Sequence, residues 1–333
     1  MRITRRKLII LTSLLFLLAL GLRWVAANRL FVDYDEPIYV NAGLEYTNFI
    51  RNGQFTQLAW NKTNIEHPVL FKILYGIAFL PLESVKQLYE KDFEDLQPIS
   101  NFEGKRWGMV GRTLSAVLGS ISVGVLSLLN PLAGLFLAVN TLSVKYTSQV
   151  YLEALPLLTS LLSVICYSRY FQQVLENQQK KRKSILWLLA SAILLGMTAA
   201  SKYVYCVAGL AIVTHYILMI VFRKIHRQEI FVLAGWGVAA LAVFFVFDPV
   251  LWPHPFSRLL ESISFHLNYV QSVGVLAHNY PFYQPLRWLS VPFQYFDPRP
   301  KSAFLIKMDW VIFGFAVIGL YRTFRTQKIF SCG

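Results

Sequence analysis

The chain has 333 residues, of which 55% are hydrophobic and 15% charged, and its formal net charge is +14; a soluble domain carries about 25% charged residues. The apolar residues form continuous runs of about 17 to 22, the length a helix needs to cross hydrocarbon, which excludes a soluble fold. A β-barrel is excluded because its spanning strands would alternate in short segments. The Lys and Arg excess lies in short loops between apolar runs, so it reads as a topology signal and no nucleic-acid partner is expected. Cys166 and Cys206 fall inside apolar runs and Cys332 near the end, so no disulfide framework is expected.

In chain order, MRITRRK and an apolar stretch ending in Val25-Ala26-Ala27 come first. That is also how a cleavable signal peptide reads, but the many later spans favour a retained helix. The expected spans are 8–27, 108–129, 131–145, 152–172, 184–200, 203–222, 229–247 and 303–321. After the first comes FVDYDEPIYVNAGLEY, residues 31–46. Asp35 reads as the N-cap of a helix with Glu36 and Pro37 in its first turn, Tyr39, Ala42, Tyr46, Phe49 and Ile50 on one face, and Gly53 at its end. It is expected to be an amphipathic helix on the outer surface. Asp35 would cap it, or would be a carboxylate at the membrane boundary able to take a proton from a hydroxyl.

The next stretch, NIEHPVLFKILYG, places Glu66 and His67 before a proline-started helix, 68–81, that is short for a crossing. Asn61-Lys62-Thr63 is a formal glycosylation acceptor, and EKDFEDLQ (90–97) is an acidic segment. Asn130-Pro131 predicts a tight turn with the proline in the first helical turn. Four basic clusters, MRITRRK, QQKKRKS (178–184), RKIHR (223–227) and RTFRTQK (322–328), all face the cytoplasm if the chain crosses eight times and 68–81 stays outside as a surface or re-entrant helix. The chain then reads as one membrane-embedded domain, 1–333, with two large outer loops, 28–107 and 248–302. The aromatic stretches WPHPF and YPFYQPLRW are expected to anchor the outer interface.

This topology gathers Asp35, Glu36, Glu66, His67, Arg112, Lys145, Glu153, Lys202, Asp248, Arg258 and His266 at the outer rim. Singly, such cations snorkel to phosphates and such acids cap helices. Together they suit a charged lipid headgroup.

The segments DYDEPIY, IEHPVLFKILYG, Arg112 within GRTLSAVLGSISVGVL, SQVYLEALPLL, GMTAASKY and FDPVLWPHPFSRLLESISFH resemble the GT-C glycosyltransferases, in particular glycosyltransferase family 39, from the N-terminus to about residue 295. That family includes protein O-mannosyltransferases and the aminoarabinose transferase acting on lipid A. The resemblance implies an all-α polytopic integral membrane protein, a GT-C-like bundle of about eight transmembrane helices with outer-surface or re-entrant helices. It also implies a polyprenyl-phosphate sugar donor and inverting transfer, outside the cytoplasm, to a lipid, glycan or protein hydroxyl.

By position, Asp35 matches the catalytic carboxylate, with Glu36 in the same motif. Glu66, His67, Arg112, Glu153, Lys202 and Arg258 fall around substrate, and a divalent metal on Glu66 and His266 is an option. His67-Pro68-Val69 departs from His-Pro-Pro, Glu153 stands where aspartate is frequent, and the short C-terminal part leaves acceptor recognition open. Two other classes stay open: a flippase or transporter for a polyprenyl-linked sugar, and a non-catalytic membrane subunit.

Overall fold

The computed structural model describes residues 4–61, 66–83, 99–101, 104–176, 181–222, 224–277, 279–292 and 305–326. These fold as helices: α1 (Arg5–Arg29), α2 (Asp35–Arg51), α3 (Leu70–Phe79), α4 (Lys105–Leu129), α5 (Pro131–Val139), α6 (Thr141–Tyr146) and α7 (Ala154–Glu176). There follow α8 (Lys181–Ala199), α9 (Val207–Val221), α10 (Ile230–Phe247), α11 (Pro255–Val270), α12 (Val273–Ala277), α13 (Gln284–Ser290) and α14 (Asp309–Thr326). The protein is an all-α integral membrane protein. Among the described residues five helices, α1, α4, α7, α9 with the 3-10 turn before it, and α10, are long and apolar enough to cross a membrane. The acidic segment 90–97 and Lys62 and Thr63 of the glycosylation triplet lie outside the described residues.

The other three expected spans differ from single long helices. The apolar part of α8, Ser184–Ala199, is shorter, and α14 carries Asp309, Arg322 and Arg325. The run 131–145 is broken at Asn140, whose side chain caps α6 by accepting from the Ser143 N–H. Asp309 completes this break, accepting from Asn140 Nδ2 at 2.8 Å and from the Thr141 N–H at 2.9 Å. The last carbonyls of α5 lose their helical partners there. Arg23, fully buried in α1, supplies replacements by pointing at the Leu137 and Ala138 carbonyls while its Nε donates to Thr147 Oγ1 at 2.8 Å. Arg23 drew no attention in the sequence, although a charge inside the first apolar run is itself a signal. The turn before α5 follows expectation: Asn130 accepts from Leu132 and Ala133, and Pro131 occupies the first turn.

The outer-loop helices are where sequence and structure diverge most. Instead of lying on a surface, α2 is a core helix: Tyr39, Val40, Ala42, Leu44 and Tyr46 are all buried. Its polar positions, which read as a solvated face, meet α3, α4 and the segment 147–152. Gly43 and Gly76 let α2 and α3 cross closely, and the Thr47 hydroxyl reaches both glycine carbonyls, at 2.8 and 2.9 Å. A Cβ on Gly76 would lie 2.9 Å from the Gly43 carbonyl and 3.1 Å from the Thr47 nitrogen, backbone atoms that cannot step aside. Gly76→Ala is therefore expected to cost about 1–3 kcal/mol, read as a lowered Tm in detergent; an unchanged Tm would contradict the close crossing. Gly53, with φ +66°, ends α2 as expected. At ten residues α3 rises about 15 Å, half a bilayer's hydrocarbon.

Candidate active site at one end of the bundle

The end of α1, the start of α2, α4 and the segment before α7 meet at one end of the bundle, joined through Glu36 and Arg112. This buried carboxylate accepts from Arg112 Nε (2.8 Å) and Nη2 (2.5 Å), Gln149 Nε2 (3.0 Å), and the Val150 (2.8 Å) and Asp33 (3.0 Å) backbone N–H groups. Arg112, with no exposed surface, also donates to the carbonyls of Ala27, Leu30 and Phe31. A guanidinium has five N–H donors. All five of Arg112's point at these acceptors. Arg112, expected at the substrate, thus directs its donors at Glu36 and the end of α1, and Glu36, expected in the catalytic motif, is enclosed by these donors. Together they form a latch that fixes the first turn of α2.

Beside the latch, Asp35 stands apart. The N-cap of α2 is Tyr34, not Asp35, and it is Glu36 in the first turn that accepts from the Asp33 N–H. Asp35 is exposed, and among the described residues its carboxylate makes no hydrogen bond or ion pair. Loss of water contact among the surrounding groups raises its carboxyl above the ordinary aspartate range; Asp33 adds to this, Lys202 and Lys145 oppose it, and Glu66 adds again.

Two acid–lysine pairs flank it. Lys145 Nζ lies 2.8 Å from Asp33 Oδ2 and also over the Tyr146 ring. Burial works to raise the Asp33 carboxyl, but the Lys145 charge and hydrogen bond override it and leave Asp33 below the ordinary range. Lys202 is paired with Glu153. Burial raises the Glu153 carboxyl, Lys202 opposes it, and Asp35 contributes upward. Neighbouring acids with pKa values pushed in opposite directions are the arrangement expected of an acid–base site.

His67 faces the same end. Its ring lies 6.1 Å from Tyr39 and 5.1 Å from His266, and Tyr39 is 6.2 Å from Tyr151. Burial, aided by Lys202, Lys72 and His266, pushes His67 down to about 3, so it is a neutral imidazole near pH 7. Behind it, Lys72 is fully buried and donates to the His67 carbonyl at 2.8 Å. Burial lowers Lys72 and raises Asp248, and each is held toward its charged form by the other.

The helix α11 closes this side. Arg258, Ser262 and His266 share one of its stripes; the Ser262 hydroxyl donates to the Glu66 carbonyl at 2.7 Å and His266 Nε2 lies 3.0 Å from the same oxygen. His266 therefore meets Glu66 through the backbone. No group of three or more His, Cys, Asp or Glu is placed to hold a metal among the described residues. Arg258, 8% exposed, has no side-chain ion pair or hydrogen bond among the described residues.

Of the residues expected at a site, the structure brings Asp35, Glu66, His67, Glu153 and Lys202 within electrostatic or ring contact of one another. Arg258 and His266 lie along the adjoining helix, and Glu36 and Arg112 lie beneath. Lys145 was placed at the rim but not in the site. Tyr39 and Tyr151, buried beside His67 and each other, and Tyr146, under Lys145, were not singled out, because a tyrosine in an apolar stretch carries no sequence signal of what it packs against.

No protein-family model matches the chain, and a search of curated proteins finds no match. Among solved structures, a chain of the S. cerevisiae protein O-mannosyltransferase Pmt1-Pmt2 complex bound to the sugar donor is similar, with a TM-score of 0.51 and 21% sequence identity. The match covers 78% of this chain and 35% of that one, so this protein spans about a third of its neighbour's length. The likeness lies in the fold, a GT-C-like helical membrane bundle.

Proposed function

We propose that this protein is an inverting glycosyltransferase of the family 39 type, moving a sugar from a polyprenyl phosphate to an acceptor hydroxyl on the extracytoplasmic side. The observation that carries the reading is Asp35: an exposed carboxylate, unpaired among the described residues and raised in pKa, between two acid–lysine pairs at the end of a GT-C-like bundle. Asp35 takes the acceptor proton as the acceptor oxygen attacks the anomeric carbon. The bond from that carbon to the phosphate oxygen breaks through an oxocarbenium-like state, and the electron pair leaves with the polyprenyl phosphate. The departing group is already anionic and needs cations. Lys202, with two N–H donors beyond the one facing Glu153, and Arg258, unpaired among the described residues, supply them. His67, half-buried, offers a ring face to the sugar and, being neutral, adds no charge there.

Radiolabelled polyprenyl-phosphate sugars, given to the purified protein in proteoliposomes, test the reading. Label leaves the lipid for an acceptor if the protein is a transferase; lipid that crosses the bilayer with its label attached would make it a flippase.

A pH profile provides a second check. The base works only when ionised, so activity falls as pH drops through its folded pKa, and a raised pKa places the acid limb of kcat/KM above the ordinary aspartate range. Lys202 holds Asp35 down. Lys202→Met should therefore move that limb to higher pH, apart from any loss in donor affinity; an unmoved limb would separate Asp35 from the titration.

A further inference from the structure

α11 has three faces. Its protein face is the stripe of Arg258, Ser262 and His266 against Glu66. At 100° per residue, Phe256, Leu260, Ile263, Leu267 and Val270 form a second face. All five are exposed, Phe256 to 83%, Leu260 to 61% and Leu267 to 64%. The third face carries Ser257, Glu261, Ser264 and Asn268, also exposed. The apolar and polar faces lie about a third of a turn apart, with the protein face on the remaining side.

The apolar face does not end with the helix. Trp252, just before α11, folds back so that its Nε1 donates to the Phe245 carbonyl at 2.7 Å, the last turn of the span α10. Val246, Phe247, Trp252 and Phe256 are all exposed. They continue the lipid-facing surface of α10 onto α11, and Val273 and Leu276 of α12 carry it on. A face continuous with a membrane-spanning surface, and bordered by a polar strip rather than a second apolar one, is the pattern of a helix lying at a bilayer boundary.

We propose that α11 is an interfacial helix. Its apolar face sits at the boundary between headgroups and acyl chains, its polar strip faces water, and its protein face holds the Glu66 backbone in place. The occupant of the apolar face is a phospholipid leaflet. This holds whether or not the protein is a transferase. It sets the depth of the Glu66 and His67 segment at headgroup level, the level at which a lipid-linked phosphate would arrive.

Nitroxide labels at Leu260→Cys, Leu267→Cys, Glu261→Cys and Asn268→Cys, each in a chain whose native Cys166, Cys206 and Cys332 are replaced by serine, test it in nanodiscs of phosphatidylcholine and phosphatidylglycerol. All four positions are exposed, so the labels are accommodated without repacking. The ratio of oxygen to nickel-chelate accessibility should be several-fold higher at 260 and 267 than at 261 and 268. Equal ratios on both faces would place α11 in water and overturn the proposal. Spin–spin broadening at 260 and 267 that vanishes on dilution with unlabelled protein would assign the face to a second copy, and would overturn it equally.

Discussion

Arg112→Met should lower stability by about 3–5 kcal/mol, the cost of leaving a buried charge without its partner. The substitution strips Glu36 of two donors and leaves the carbonyls of Ala27, Leu30 and Phe31 without the guanidinium. What remains around the Glu36 carboxylate is the Gln149 amide and two backbone N–H groups. Arg112→Lys should not restore the loss, because three N–H donors on a compact ammonium cannot address five acceptors arranged around a planar fork. The double variant Arg112→Met/Glu36→Leu should regain much of it, since replacing both members of a buried pair with apolar groups is often neutral. Thermal unfolding in detergent reads all three. A single variant as stable as wild type would contradict the latch.

Asp35→Asn should reduce transfer by about 10²–10⁴, the contribution typical of a positioned general base. The fold gives a reason to expect a clean result. Asp35 caps nothing and pairs with nothing among the described residues, so an isosteric amide leaves the first turn of α2 and the Glu36 latch as they are. Donor affinity should hold or rise slightly, since a negative charge beside the phosphate subsite is lost. Initial rates at saturating donor, with unfolding temperature measured on the same preparations, separate chemistry from folding. A rate within a few-fold of wild type would remove Asp35 as the base.

Much of this was legible in the chain. Continuous apolar runs gave the membrane class, Asn130-Pro131 gave a helix boundary, and ionisable groups at run ends pointed to one end of the bundle. What the chain concealed is physical in origin. The run of α5 and α6 carries Asn140, Thr141, Ser143 and Lys145, but its break at Asn140 is stabilised by Asp309 and Arg23, groups distant in the chain whose approach no local pattern shows. The surface reading of α2 failed because amphipathic spacing shows that one face is apolar, not what meets the polar face. Here the segment 147–152 and α4 meet it, with Glu36 and Arg112 satisfying each other out of water. The pairing of Arg112 with Glu36 was hidden for the same reason: a charged residue in a membrane protein is costly, and sequence alone does not tell a substrate contact from an internal pair. Asp35 could have been a cap, and only the geometry, in which Glu36 takes the Asp33 N–H, leaves it unoccupied.

The most direct test of the proposed chemistry follows the two sides of the bond it breaks. Reconstituted protein is given a polyprenyl-phosphate sugar with ¹⁴C in the sugar and ³²P in the phosphate. The account predicts that ¹⁴C passes to an acceptor while ³²P stays with the lipid, and that Asp35→Asn nearly abolishes this separation. If both labels remain together on the lipid in the wild type, or separate equally fast in the variant, the account is contradicted.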